Sequence, residues 1–325
     1  MGRVLTQKYT VDVGASTIVR GICYWNGRIY YISGNMINSI SFTSSGGFGS
    51  VGSIVSSPVW INLSNGRIAT DGTYLYVITS YSSATYLRAY NLVTLEPVGN
   101  SSANFYRSGD VGAIYCGTDG FIYAGNYQYL EAFTFNGSVF SRVGSTLLNI
   151  STTSICMASG ILYVTCEASQ ASETLRGTFD GTNFSLSSYD ISNTWCSSIV
   201  ADSNYAYLLD HNNKVWVLNR TTMAVVTSLD TGTGTGRVIC LDGTYIYIFA
   251  DTGIRVLTLV GSTLTVVSNI ASITDAAYHK MCFADDHLIV ADSDDLYALR
   301  MDLTAQFTVN SQSGKVGDTF TFTAI

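Results

Sequence analysis

Residues Ala69-Thr70-Asp71-Gly72-Thr73-Tyr74-Leu75-Tyr76-Val77-Ile78 and Cys240-Leu241-Asp242-Gly243-Thr244-Tyr245-Ile246-Tyr247-Ile248-Phe249 are two versions of one unit. A small residue opens it, a turn dipeptide follows, and a Tyr stands seven positions after the small residue. The same offset recurs at Cys23/Tyr30, Cys116/Tyr123, Cys156/Tyr163, Val200/Tyr207 and Cys282/Ile289. The turns in those copies read Asn26-Gly27, Asp119-Gly120, Ser159-Gly160, Ser203-Asn204 and Asp285-Asp286. Asn-Gly and Asp-Gly supply the positive φ that two-residue hairpins need. The alternation of Tyr74, Tyr76 and Ile78 marks the strand that leaves the turn.

Successive second members lie 40 to 47 residues apart, which leaves room for four short strands per unit. A third strand follows each hairpin, as in Leu87-Arg88-Ala89-Tyr90 and Val215-Trp216-Val217-Leu218. A weaker fourth strand follows, where Pro97 fits an edge because one side of an edge backbone is unpaired. Seven such units predict an all-β chain folded as a seven-bladed β-propeller over residues 1–303. The seventh unit stops after its third strand, near Asp302, and the chain opens with a lone strand, Gln7–Val13. This strand is expected to complete the last blade and close the ring, which removes an open edge. Residues 304–325 read as a separate short β segment.

The chain has 325 residues, 12% of them charged, with a net charge of −7 and no run of Lys and Arg. A nucleic-acid role is therefore disfavoured, because phosphate binding needs a basic patch. No apolar run is long enough to span a bilayer as a helix, and the first residues lack the apolar core of a secretory signal. Of the seven cysteines, Cys23, Cys116, Cys156, Cys240 and Cys282 occupy one register position, which Ala69 and Val200 fill in the other units. A position that accepts Cys, Ala or Val is a small buried apolar site, so these read as structural thiols. Only Cys156 and Cys166 are placed to approach each other, and reduced thiols point to folding in a reducing cytoplasm.

In a four-stranded blade the loops from second to third strand, and from fourth strand to the next blade, share one face. The candidate ligand-binding residues lie there: Trp60, Tyr106, Arg107, Asp110, Tyr127, Trp195, Asp210 and His211. Aromatic rings beside Asn, Asp and Arg suit a sugar, whose ring face stacks while its hydroxyls are hydrogen-bonded. Packing between blades is the competing reading for each aromatic. No metal and no cofactor is expected. Asp292-Ser293-Asp294-Asp295 offers oxygens for calcium but lacks the spacing of a calcium loop, and there are three His without a ligand spacing. There is no nucleophile elbow and no distinctive pair of acids. The catalytic set is therefore empty.

The repeats resemble the broad group of NHL, YVTN and quinoprotein-like propellers. They lack the Trp-Asp dipeptide of WD40 units, the sialidase Asp box and the Kelch double glycine, so the resemblance carries an architecture and no catalytic motif. The C-terminal segment resembles the opening of a PKD or immunoglobulin-like domain at Phe307, Thr308, Ser313, Gly314, Gly317, Asp318, Phe320 and Phe322. Such a start without the rest implies a fragment, with a docking tail as the alternative. A surface-type extension without a signal agrees with a bacteriophage virion component, folded in the host cytoplasm and released by lysis. The expected function is a non-enzymatic structural or adhesion module, a tail fibre or capsid decoration present in multiple copies. Its partners would be host-surface glycans or other virion proteins. The alternatives are a bacterial or archaeal cell-surface or secreted adhesin, and a propeller enzyme of lyase or quinoprotein type.

Overall fold

The structure, a computed structural model, describes the chain except residues 1, 14–18, 34–35, 57–61, 82–83, 101–111, 126–128, 149, 168–172, 192–194, 233, 272, 274–279, 293–294, 305–306, 310–321 and 325. Every regular element among the described residues is a strand, and seven four-stranded antiparallel sheets account for 28 of the 30. Blade 1 contains β2 (Val19–Trp25), β3 (Arg28–Ser33), β4 (Met36–Thr43) and β5 (Gly47–Ser56). Blade 2 contains β6 (Asn62–Thr70), β7 (Tyr74–Tyr81), β8 (Ala84–Asn91) and β9 (Pro97–Asn100). Blade 3 contains β10 (Ala113–Cys116), β11 (Ile122–Gly125), β12 (Tyr129–Phe135) and β13 (Phe140–Leu147). Blade 4 contains β14 (Ser151–Ala158), β15 (Ile161–Glu167), β16 (Glu173–Phe179) and β17 (Phe184–Asp190). Blade 5 contains β18 (Cys196–Ala201), β19 (Tyr205–Asp210), β20 (Lys214–Asn219) and β21 (Val225–Asp230). Blade 6 contains β22 (Gly236–Leu241), β23 (Ile246–Ala250), β24 (Gly253–Val260) and β25 (Thr263–Ile270).

Blade 7 is built from both ends of the repeat region. It contains β26 (Lys280–Ala284), β27 (His287–Asp292), β28 (Asp295–Thr304) and, on its outside, β1 (Gly2–Asp12). β1 pairs antiparallel with β28 from Gly2↔Thr304 to Asp12↔Asp295. The lone N-terminal strand thus closes the ring, with Leu5 buried. Thr6 and Lys8 both reach the Asp302 carboxylate, which also receives Arg300 Nε at 3.0 Å.

The sevenfold offset in the sequence is a cross-strand register. Cys23 faces Tyr30, Ala69 faces Tyr76, Cys156 faces Tyr163, Val200 faces Tyr207, Cys240 faces Tyr247, and Cys282 faces Ile289. In blade 3 the ladder is displaced by one, so that Cys116 faces Ile122 and Tyr123 faces Tyr115. Two-residue turns with both residues at positive φ occur at Asn26-Gly27 and Ser159-Gly160. The Asp-Gly units turn by another device, since in them only the Gly has positive φ. Asp71 Oδ1 accepts the N–H groups of Thr73 and Tyr74, both at 2.8 Å, and Oδ2 accepts the Tyr76 hydroxyl at 2.7 Å. Asp242 and Asp202 repeat the arrangement with Tyr247 and Tyr207, and Asp119 holds Tyr123. One carboxylate therefore builds the turn and satisfies the hydroxyl of the register Tyr.

The first strands form the inner ring: β2 contacts β6, β6 contacts β10, and so on round to β26, which contacts β2. The core is seven apolar layers, one between each pair of neighbouring blades. Tyr30, Ile32, Leu75 and Val77, for example, fill the layer between blades 1 and 2. All seven cysteines are free. Burial pushes the thiols of Cys23 and Cys240 up to about 12 and those of Cys116, Cys156 and Cys282 up as well. Cys156 and Cys166 lie on paired strands but face Tyr163 and Thr152. Beyond the ring, β29 (Phe307–Val309) and β30 (Phe322–Ala324) pair antiparallel as a two-stranded sheet. Among the described residues no helix is long and apolar enough to cross a membrane.

Candidate binding site at the channel mouth

Each inner strand begins at the end of the ring where the fourth-to-first and second-to-third strand loops gather. Residues of all seven inner strands line one open cavity of about 520 Å³. Which side chains point into it depends on a repeated irregularity. The ladders of β2, β14, β18 and β22 skip one residue near their starts: Arg20, Thr153, Ser197 and Arg237. A bulge sets two residues against one and re-aims a side chain. Arg67 and Lys280 reach the same cavity from paired positions, opposite Ile78 and Ala291.

The result is a divided wall. Blades 6, 7, 1 and 2 are consecutive around the ring and contribute Arg237, Lys280, Arg20 and Arg67. Blades 3, 4 and 5 contribute Ala113, Thr153 and Ser197 at the corresponding places. Thr153 is committed to the fold, its hydroxyl lying 2.7 Å from the Cys196 carbonyl oxygen and 2.8 Å from the Thr165 hydroxyl. Glu167, at the end of β15, is the acid among the described lining residues and stands on the neutral side.

The cations differ in how they are held. Arg237 Nε lies 3.2 Å from Asp251 Oδ1. Arg67 Nε donates to the Gly112 carbonyl at 2.8 Å, a neutral acceptor, and burial lowers its pKa. Burial, and then the charges of Arg67 and Arg237, push Lys280 well below the usual lysine range. Among the described residues neither Arg67 nor Lys280 has a carboxylate partner. Like charges held together behind low-dielectric walls create a positive potential that focuses on an anion.

Of the residues singled out in the sequence, Trp195 and His211 meet at this mouth. Their rings are 5.2 Å apart with a 53° interplanar angle, and the backbone N–H of His211 donates to the Trp195 carbonyl at 2.7 Å. Both line the cavity, and Trp195 is 40% exposed. Asp210 is placed differently from the expected loop ligand: it is buried, and its carboxylate accepts Lys214 N–H and Trp216 Nε1–H, both at 3.0 Å. Trp60, Tyr106, Arg107, Asp110 and Tyr127 lie outside the described residues. Ser293 and Asp294 of the acidic loop do too, while Asp295 accepts the Tyr297 hydroxyl at 3.1 Å. Among the described residues no group of three or more His, Cys, Asp or Glu is placed to hold a metal ion.

The four cations were not singled out by the sequence reading, although a signal existed. Each stands two or three residues before the register residue of its unit: Arg20 before Cys23, Arg67 before Ala69, Arg237 before Cys240, and Lys280 before Cys282. The three-residue cases are the two bulged ones.

These sheets define a seven-bladed β-propeller. No family model matches the chain, and no curated protein matches it in sequence. Solved structures do match. The chain is similar to the WD40 β-propeller domain of Doa1, with 13% identity, 91% of this chain and 97% of that chain covered, and a TM-score of 0.69. It is similar to a chain of the mitotic checkpoint complex, with 12% identity, coverage of 92% and 95%, and a TM-score of 0.70. It is also similar to the computationally designed Ika8 protein, with 8% identity, coverage of 90% and 99%, and a TM-score of 0.61. At such identities the likeness shows the fold alone.

Proposed function

We propose that this chain is a non-enzymatic recognition module, an adhesion propeller carried in several copies on a larger assembly such as a phage virion. It engages host-surface glycans through the face on which the channel opens. The observation that carries this reading is the channel mouth itself. It is open, lined by hydroxyls and cations, and rimmed by the Trp195–His211 ring pair. Trp195 keeps an exposed indole beside donors and acceptors, the combination that holds a sugar ring. Weak contacts at one such mouth become firm attachment when many copies act together.

Glycan-array and host-cell binding by the purified chain, displayed multivalently, tests the reading. Saturable binding is expected, with loss in Trp195→Ala at an unchanged melting temperature. Binding that survives Trp195→Ala, or no binding to any glycan or cell surface, overturns it.

A further inference from the structure

We propose that the channel mouth is a site for an acidic saccharide, with the carboxylate or sulfate taken by the cationic wall of blades 6, 7, 1 and 2. The class of ligand rests on the recognition reading above; the anion site itself rests on the geometry alone.

The chain carries 16 Lys and Arg against 23 Asp and Glu, so cations are the minority charge. Four of them nonetheless converge on one cavity from strands that are far apart in sequence. Two converge by the same backbone device, a bulge at the start of the inner strand. Nothing in the fold requires this, because Ala113, Thr153 and Ser197 serve at the corresponding places of the other blades. Arg237 has Asp251 beside it, but Arg67 and Lys280 have no carboxylate among the described residues, and Lys280 is close enough to feel both Arg67 and Arg237. Arg67 and Lys280, set beside Arg237 with Asp251 as the acid paired to that group, leave an excess of positive charge that opposes folding. An anion entering between them relieves that repulsion and gains charge-assisted hydrogen bonds. Opposite the cations stand the hydroxyl-bearing starts of β14 and β18 and the Trp195–His211 pair. That wall suits the body of a sugar ring, while the cationic wall suits its acid group.

The full chain is titrated with sodium glucuronate, with glucose and with sodium sulfate at millimolar concentrations and matched ionic strength, followed by NMR. Saturable binding of glucuronate and sulfate, competing with each other, is expected, with glucose at least tenfold weaker than glucuronate. Lys280→Met is expected to weaken glucuronate at least tenfold. The same variant should raise the melting temperature of the unliganded protein, because it replaces a buried, desolvated amine beside Arg67 and Arg237 with an apolar side chain. A lysine that merely supported the fold would lower it. Lys280→Arg keeps the charge and is expected to keep binding, which separates loss of charge from misfolding. Sulfate binding without glucuronate binding overturns the saccharide, and an unchanged affinity in Lys280→Met overturns the site. If arrays show neutral glycans bound at this face while glucuronate and sulfate fail, the anion site falls and the recognition reading stands. If both anions bind but no glycan or cell surface does, the recognition reading falls and the anion site stands.

Discussion

The Asp71 carboxylate makes three hydrogen bonds within one hairpin, to two backbone N–H groups and to the Tyr76 hydroxyl. Burial, and then Asp71 beside it, push the Tyr76 hydroxyl far above its usual range, so it stays protonated and donates. Asp71→Ala leaves the hydroxyl and the turn amides without that acceptor and is expected to cost about 2 kcal/mol in denaturant unfolding. Tyr76→Phe keeps the turn and should cost about 1 kcal/mol. Gly72 in the same turn has φ +89°, and a Cβ there would lie 2.4 Å from the Trp25 ring of blade 1. The turn thus also seats two neighbouring blades. The inner-strand thiols belong to the same local design. Reactivity needs the thiolate, and burial pushes Cys23 and Cys240 up to about 12. A thiol titration of the native chain at pH 8 is expected to leave both unmodified, while all seven cysteines react after denaturation.

Closure by β1 concentrates charge on Asp302. Burial alone would raise its pKa, but hydrogen bonds from Lys8, Thr6 and Arg300 outweigh that and bring it to about 2. A carboxylate held below its ordinary value of 3.8 stabilises the fold fully above about pH 4. That contribution is lost as the pH falls from there toward 2. Asp302 is partly exposed and screened by solvent, so the effect is about 1 kcal/mol. Acid melting curves of the wild type should therefore show a drop between pH 4 and 2 that Asp302→Asn reduces, with the variant less stable at pH 7. Equal acid dependence in the two proteins would remove Asp302 from the closure. A single strand also carries the apolar share, since Leu5 joins the layer between blades 6 and 7 and its N–H donates to Ser268 Oγ at 2.9 Å.

The seven apolar layers form a ring, so each blade is held on both sides and none can leave without opening two layers. Removal of residues 1–12 exposes the edge of β28 and opens the ring at blade 7. Hydrogen exchange on the truncated chain is expected to show lost protection as far away as β14 and β18, across the ring from the cut. Protection lost only in blade 7 would mean that the blades are independently stable. An exposed strand edge also invites edge-to-edge association, which sedimentation would detect.

Much of this was legible in the residues. A small residue and a Tyr seven positions apart are direct cross-strand partners in five blades, because a short hairpin confines the register, and in blade 3 the ladder is displaced by one. Cys282 and Ile289 follow the same rule. Blade number, blade order and closure by the N-terminal strand all follow from that local spacing and from the missing fourth strand of the last unit. The carboxylate turns were misread as two-residue turns, because Asp-Gly spells both a positive-φ turn and a side-chain-closed one. The channel was not legible in the same way. Arg20, Arg67, Arg237 and Lys280 look like isolated charges in a dilute, acidic sequence. Their summed field exists only once the ring brings the seven strand starts to a common axis. A local pattern of period two can set the partner of a strand residue, whereas a potential made by charges dozens of residues apart depends on distances through space that chain spacing does not carry. The bulges that carry Arg20 and Arg237 add a one-residue slip to each ladder, which the spacing of the repeat does not show.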